Sequence, residues 1–206
     1  MPITRAVQRD EEAIARWRVE SWPALKQQAR RERRELVFVD ESGFYLLPGV
    51  VKTYAPRART PILSEWQTRH HLSVMGDLTP AGKVYTLVRP AALNGLQSIK
   101  FLLHLGRLAG GRLLVIWDGS PIHRRAEVSE FVAETKGAVR VERLPAYAPD
   151  LNPVEWPWCH LKVVEIRNLT CLDLDQLHLE FHLALGRIRQ KPRLMRSFFA
   201  GAELAL

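Results

Sequence analysis

At 206 residues, with 47% hydrophobic and 25% charged residues, the chain has the size and composition of an ordinary globular protein with one substantial core. Its apolar runs fall far short of the roughly 20 residues that cross a bilayer, and no charged and then apolar leader opens it, so a cytoplasmic rather than a membrane or secreted protein is expected. A net charge of +8 and a pI near 9.9 favour a polyanionic partner over an acidic one, without naming it.

Residues 1–35 are polar, rich in Arg and Glu, with Ile14, Trp17 and Trp22 at helical spacing. They are expected to form a helical, basic lead-in with too few apolar residues for a core of its own. The main domain is then residues 36–206. "LVFVD" (36–40) is a short run of β-formers and reads as a buried strand ending in Asp40. Pro48, Pro56 and Pro61 make 45–68 a long irregular connection, a kind that is usually functional inside a domain. "HHLSVMGDLT" and "GKVYTLVRP" bracket Thr79-Pro80-Ala81-Gly82 and predict a β-hairpin. Asn94 and Gln97 fit a capping box for a helix with Leu96, Ile99, Leu102, Leu103, Leu105 and Leu108 on a wide apolar face, stopped by Gly110-Gly111.

A strand "LLVIWD" (113–118) follows. Ser120-Pro121 predicts a helix over 121–136, and "AVRVERL" (138–144) alternates as a strand. Asn152 and Pro153 predict the N-cap and first residue of a helix carrying Glu155. A last amphipathic helix uses Leu174, Leu177, Phe181, Leu185 and Ile188, with a short tail after residue 192. The order β-β-β-α-β-α-β-α is that of an α/β protein of ribonuclease-H-like fold, with a mixed five-stranded sheet and helices on both faces. Cys159 and Cys171 lack CxxC spacing and are expected to be free thiols.

Asp40 and Asp118 each end a buried apolar strand. Two such strands side by side would bring two carboxylates together, which is costly unless a cation lies between them. Hard oxygen donors of this kind suit Mg²⁺ or Mn²⁺, and a third acid on a facing helix would complete a two-ion site for phosphoryl chemistry. Local readings without a metal compete. Asp118 fits an Asp-Gly turn, Asp40 fits a turn acid with Glu41 as a rival ligand, and Glu155 fits the third position of a capping box with Asn152. His123 is a candidate substrate contact or an ordinary surface residue. Trp117, Trp156 and Trp158 read as core residues.

"LVFVDESGF", "VIWDGSPIH" and "LPAYAPDLNPVEWPWCHLK" resemble the catalytic core of DDE transposases, most of all the bacterial insertion-sequence branch of the mariner superfamily. The resemblance runs from about residue 10 to the end. It implies a ribonuclease-H-like fold, a metal-binding triad of Asp40, Asp118 and Glu155, and two Mg²⁺ or Mn²⁺ ions. Thirty-six residues separate Asp118 from Glu155, close to the spacing of that superfamily. The implied partners are double-stranded DNA at the element ends and the target, and a second copy in a homodimer. The location would be the bacterial cytoplasm, on the nucleoid when bound. The loop from Tyr54 to Pro61 is expected to meet DNA or a second subunit.

Candidate phosphate contacts are Lys52, Arg57 and Arg59 in that loop, His123, and Arg187, Arg189, Lys191 and Arg193 near the end. With about 35 residues before the first catalytic strand, end recognition is expected to need a separate helix-turn-helix polypeptide. Pro157 stands fifth in a helix begun at Pro153, where it would cost about 3 kcal/mol and re-aim Glu155. Two other functions stand beside the transposase: a structure-selective nuclease of the same fold without strand transfer, and a catalytically dead DNA-binding or dimerisation subunit, which Pro157 would favour.

Overall fold

A computed structural model describes residues 6–47, 49–64 and 68–206. The expected break at Pro48 lies outside the described residues. Five strands form one mixed sheet: β1 (Glu35–Tyr45), β2 (His71–Leu78), β3 (Thr86–Arg89), β4 (Leu113–Trp117) and β5 (Val139–Arg143), in the order β3-β2-β1-β4-β5. The first three pair antiparallel and β1, β4 and β5 pair parallel. This is the expected ribonuclease-H-like sheet. The hairpin turn is where the sequence put it, with Gly82 at φ +82° donating its N–H to Thr79 O at 2.8 Å.

Alternation along the strands divides the core in two. Leu36, Phe38, Phe44, Leu72, Val74, Leu78, Leu114 and Ile116 face one side. Val37, Val39, Met75, Leu113, Val115 and Trp117 face the other. The second face is covered by α3 (Gly95–Leu108) and α4 (Ala126–Glu134). Asn94 and Gln97 do form a capping box on α3. The apolar face of α3 is narrower than expected. Phe101, Leu102 and Leu105 are buried, whereas Leu96, Leu103 and Leu108 lie about half in solvent.

The first face is covered by both ends of the chain. α1 (Glu11–Arg16) runs through a π-helical turn (Trp17–Ser21) into α2 (Trp22–Glu32). Ile14, Trp17, Trp22, Leu25 and Ala29 join the same core as β1, so the lead-in packs into the main domain. The expected tail is a helix, α7 (Pro192–Gly201), which buries Met195, Phe198 and Phe199. Trp22 shows the closure: its ring packs on Phe38 and Phe199, and its Nε1 donates to Ala205 O at 2.9 Å. Between these ends lie α5 (Glu155–His160), a π-helical turn (Leu161–Glu165) and α6 (Leu174–Arg189). Both cysteines are free, Cys159 exposed and Cys171 buried. Among the described residues no helix is long and apolar enough to cross a membrane.

One buried acid on the α3 side has no catalytic context. Asp77 on β2 is fully buried; its Oδ1 accepts from Tyr85 N at 2.6 Å, while Oδ2 has no partner. Burial raises its pKa to about 7 against the opposing pull of the Tyr85 N–H and the charge of Arg189. A carboxyl with a raised folded-state pKa contributes stability at low pH that is lost as pH rises through that value. Asp77→Asn keeps the acceptor and removes the buried charge. It should raise the thermal midpoint more at pH 8 than at pH 5, by up to about 4 kcal/mol of stability at the higher pH. Scanning calorimetry at both pH values checks this, and an equal effect at both would contradict it.

Candidate active site

The parallel register of β1 and β4 sets Phe38 opposite Ile116. Two residues on, Asp40 and Asp118 stand beside each other on the same face. Asp40 is inside β1 and 7% exposed; Asp118 lies just past β4 with its side chain half exposed. Glu155 opens α5 across the cleft. All three carboxylates line one cleft of about 580 Å³, with Arg124, Arg143, Tyr147 and Asn152 on its walls.

Asp118 Oδ1 does accept from Ser120 N at 2.9 Å, the expected turn, but it also receives His123 Nδ1 at 3.1 Å. Glu155 is not part of a capping box. The helix starts at Glu155, and Asn152 instead makes a turn in which Oδ1 accepts from Val154 N at 3.2 Å. Pro157 is therefore the third residue of α5, ahead of the first helical donor, Trp158 N to Val154 O at 3.4 Å. A missing N–H in the first turn removes no helical bond. The expected distortion by Pro157 does not arise.

Trp158 is what the start of α5 delivers to the site. Its buried indole Nε1 donates to Asp40 Oδ2 at 3.0 Å. The ring crosses β2 at Gly76, the residue paired with Asp40, where a Cβ would come within 2.5 Å of it. Trp158 and Trp117 are core residues as expected. Trp156 is 42% exposed and lies over Gly201.

His123 is neither a surface residue nor placed to touch DNA. Its side chain is fully enclosed, stacked on Trp117 at 4.1 Å and 3° between planes. Nε2 meets Glu41 Oε1 at 2.7 Å. The helix expected from 121 is displaced to let the ring turn inward: a single 3₁₀ turn (Pro121–Arg124) and an extended Arg125 precede α4. Burial works against a charge on His123, but hydrogen bonds to Asp118 and Glu41 outweigh it and raise its pKa to about 9. Ligand atoms of Glu41, Asp118 and His123 lie within 4.8 Å of one another. With both ring nitrogens engaged by carboxylates, the histidine links Glu41 to Asp118.

The charges respond to this crowding. Burial, then Glu155, Glu41 and Asp118, push the Asp40 pKa well above the usual carboxylate range. Burial also raises Glu155, opposed by Lys162. The hydrogen bond from His123 lowers Asp118. Lys162, one face of helix further on, donates to Ser42 Oγ at 2.8 Å, and burial lowers its pKa. Buried carboxylates crowded by neighbouring acids in one cleft are an oxygen donor set that fits a hard divalent cation.

The basic residues divide differently from expectation. Lys52, Arg57 and Arg59 are exposed on the loop after β1. That loop is anchored at its base by Asn168, which exchanges two hydrogen bonds with the Val51 backbone. Arg187 and Lys191 pair with the buried Glu165 at 2.6 and 3.1 Å, and Arg189 donates twice to Val84 O. These three hold α6 to its neighbours. Arg193 is exposed, and none of the four lines the carboxylate cleft. The cations that do are Arg124 and Arg143, from the short Arg124-Arg125 and Arg140/Arg143 groups, which carry fewer cations than the clusters the sequence singles out.

Gly76→Ala should destabilise the protein by roughly 1–3 kcal/mol, because the new methyl overlaps the Trp158 ring. Urea unfolding followed by tryptophan emission measures it; an unchanged midpoint would mean that Trp158 does not occupy this space.

A family model for the DDE superfamily endonuclease matches residues 35–178. No curated protein sequence matches the chain. Among solved structures, the mariner Mos1 paired end complex with Mg superposes at a TM-score of 0.68 and 16% identity, covering 98% of this chain and 64% of that one. The Mos1 strand transfer complex gives 0.59 and 14%, covering 96% and 65%. The catalytic domain of Mos1 mariner transposase gives 0.53 and 14%, covering 99% and all of that chain. The chain thus spans a little under two thirds of the transposase in the two complexes, and at these identities the likeness is one of fold. The family match is of sequence, extends over all five strands and contains Asp40, Asp118 and Glu155: the chain belongs to the DDE superfamily endonuclease family.

Proposed function

We propose that this chain is the catalytic domain of a transposase, cutting DNA at the ends of a mobile element and joining the freed strand to a target. The observation that carries this is the convergence of Asp40, Asp118 and Glu155 from β1, β4 and α5 onto one cleft. The three carboxylates would hold two Mg²⁺ or Mn²⁺ ions. Bound there, the ions supply activation of a water or 3′-hydroxyl and neutralisation of charge at the phosphate.

The protein's own part is orientation. Trp158 holds Asp40 from one side and His123 holds Asp118 from the other, so neither acid must be ordered when substrate arrives. Arg124 and Arg143 give the cleft positive charge for the DNA backbone. The exposed Lys52, Arg57 and Arg59, with Tyr54 fully in solvent, suit DNA or a second copy of the chain. Arg193 remains available for a phosphate. Arg187, Arg189 and Lys191 would contact DNA only from within their intramolecular pairs.

Support for an insertion-sequence origin in bacteria is the pattern of the motif around Tyr147 to Glu155. A homodimer and a separate helix-turn-helix polypeptide for end recognition extend the same reading. Of the alternatives, the inactive subunit loses its main argument, since Pro157 sits where a proline is tolerated.

Purified protein should nick labelled duplex DNA with Mn²⁺ or Mg²⁺, and Asp40→Ala, Asp118→Ala and Glu155→Ala should each abolish it. Activity that survives all three substitutions would remove this reading. With element-end DNA, joined products appear for a transposase and only hydrolysed ones for a nuclease. Trp158→Phe keeps an aromatic ring in the core while deleting the N–H to Asp40. It should weaken Mn²⁺ binding roughly 10–100-fold by calorimetry in a protein that still unfolds cooperatively, at a midpoint lowered by the space left over Gly76.

A further inference from the structure

The wall of the cleft opposite β1 is the segment between β5 and α5, and Tyr147 is its most unusual residue. Its backbone has φ +56°, a left-handed conformation that a bulky side chain rarely adopts. The side chain is not buried for this: Tyr147 is 55% exposed, within the lining of the carboxylate cleft. A strained backbone that presents an aromatic ring to solvent beside a site has no packing explanation.

The strain is held from outside the segment. Arg9, ahead of α1, donates to Tyr147 O at 3.2 Å and grips both oxygens of Asp150, with Oδ2 at 2.8 Å. Its side chain is 9% exposed, so this is a seated clamp and not a loose surface pair. The chain is also seated on the C-terminal side of Tyr147, where Ala148 and Leu151 are buried. Tyr147 is thus the free tip of a rigid turn.

Its neighbours on the wall are the two exposed cations, Arg124 and Arg143, which have no carboxylate partner among the described residues. An aromatic residue that lines the same cleft as two cations and the acids is suited to grip a single strand: the cations take the backbone and the ring takes a base. A duplex keeps its bases stacked internally, so such a ring serves a base that has left its stack.

We propose that Tyr147 is a stacking platform for an unpaired nucleobase next to the reacting phosphate, with Arg124 and Arg143 on that strand's phosphates and the Arg9–Asp150 clamp holding the ring in place. This rests on the nucleic-acid reading of the cleft. It adds that the site takes a strand locally opened, and that Tyr147 positions it by its ring rather than by its hydroxyl.

The test uses a duplex with a short single-stranded tail containing 2-aminopurine, whose emission is quenched by stacking, titrated with Ca²⁺ in place of Mg²⁺. Stacking is tolerant of sequence, so the probe needs no known element end. Three proteins are compared: wild type, Tyr147→Phe and Tyr147→Asn. Asparagine accepts a left-handed backbone and so removes the ring while keeping the turn. Wild type and Tyr147→Phe should quench alike. Tyr147→Asn should lose the quenching and bind the tailed duplex about tenfold more weakly, with binding to blunt duplex little changed. Absence of quenching in wild type, equal quenching in Tyr147→Asn, or loss of it in Tyr147→Phe would each overturn the proposal. Quenching that depends on Tyr147 in a protein that never nicks DNA would leave the platform standing and remove the metal-dependent nuclease instead.

Discussion

Neighbouring parallel strands set two carboxylates side by side and bury one of them, and most of the architecture around the cleft answers that constraint. The register of β1 and β4 makes the proximity of Asp40 and Asp118 unavoidable. Burial makes it costly for Asp40, whose charged form is disfavoured by burial first and by three acids after it. The fold answers with directed donors: the Trp158 indole on one acid and an imidazole bridge between Glu41 and the other. Gly76 belongs to the same device, since the absence of its side chain leaves room for the Trp158 ring over β2. The arrangement is stable enough to fold and poised to take up positive charge.

Cationic residues illustrate how tertiary contacts reassign a sequence feature. The run near the C-terminus looks like a phosphate-binding patch. In the fold, Arg187 and Lys191 compensate the buried Glu165, and Arg189 ties α6 to the strand region around Val84 and lies near the charge of Asp77. Arg34, from another basic cluster, donates to the carbonyls of Leu113, Gly137 and Ala138 at the foot of β4 and β5. A net charge of +8 therefore says little about where a polyanion binds. What matters is which cations have no carboxylate partner among the described residues and line the cleft of the acids, and these are Arg124 and Arg143.

The chain's first residues are structural partners of the cleft. Ile14, Trp17 and Trp22 complete the core beneath α7, and Arg9 reaches the segment that forms the cleft wall. Removal of this segment would expose Phe38 and Phe199 and release the turn at Tyr147 together, so folding of the core and shaping of the cleft are linked through one stretch.

The sequence by itself determined the order of the sheet's elements and the ribonuclease-H-like sheet, and through its motifs offered Asp40, Asp118 and Glu155 as candidate acids. The fold rests on local signals: buried runs of β-formers, the Thr79–Gly82 turn and the Asn94 capping box; the strand expected to end at Asp40 instead runs on to Tyr45. The signals failed where a side chain obeys a distant partner. Asn152-x-x-Glu155 satisfies the pattern of a capping box, yet the helix begins later because Asn152 turns back on Val154, and Glu155 is left for the cleft. Ser120-Pro121 looks like a helix start, yet His123 is drawn inward by Glu41, a residue 82 positions away in the chain. Trp158 reads as core from composition, and only its position over Gly76 shows that it also donates to Asp40. Spacing along one element can be counted in a sequence. Which groups meet across elements depends on strand register and on the space that neighbours leave, and only the folded chain decides those.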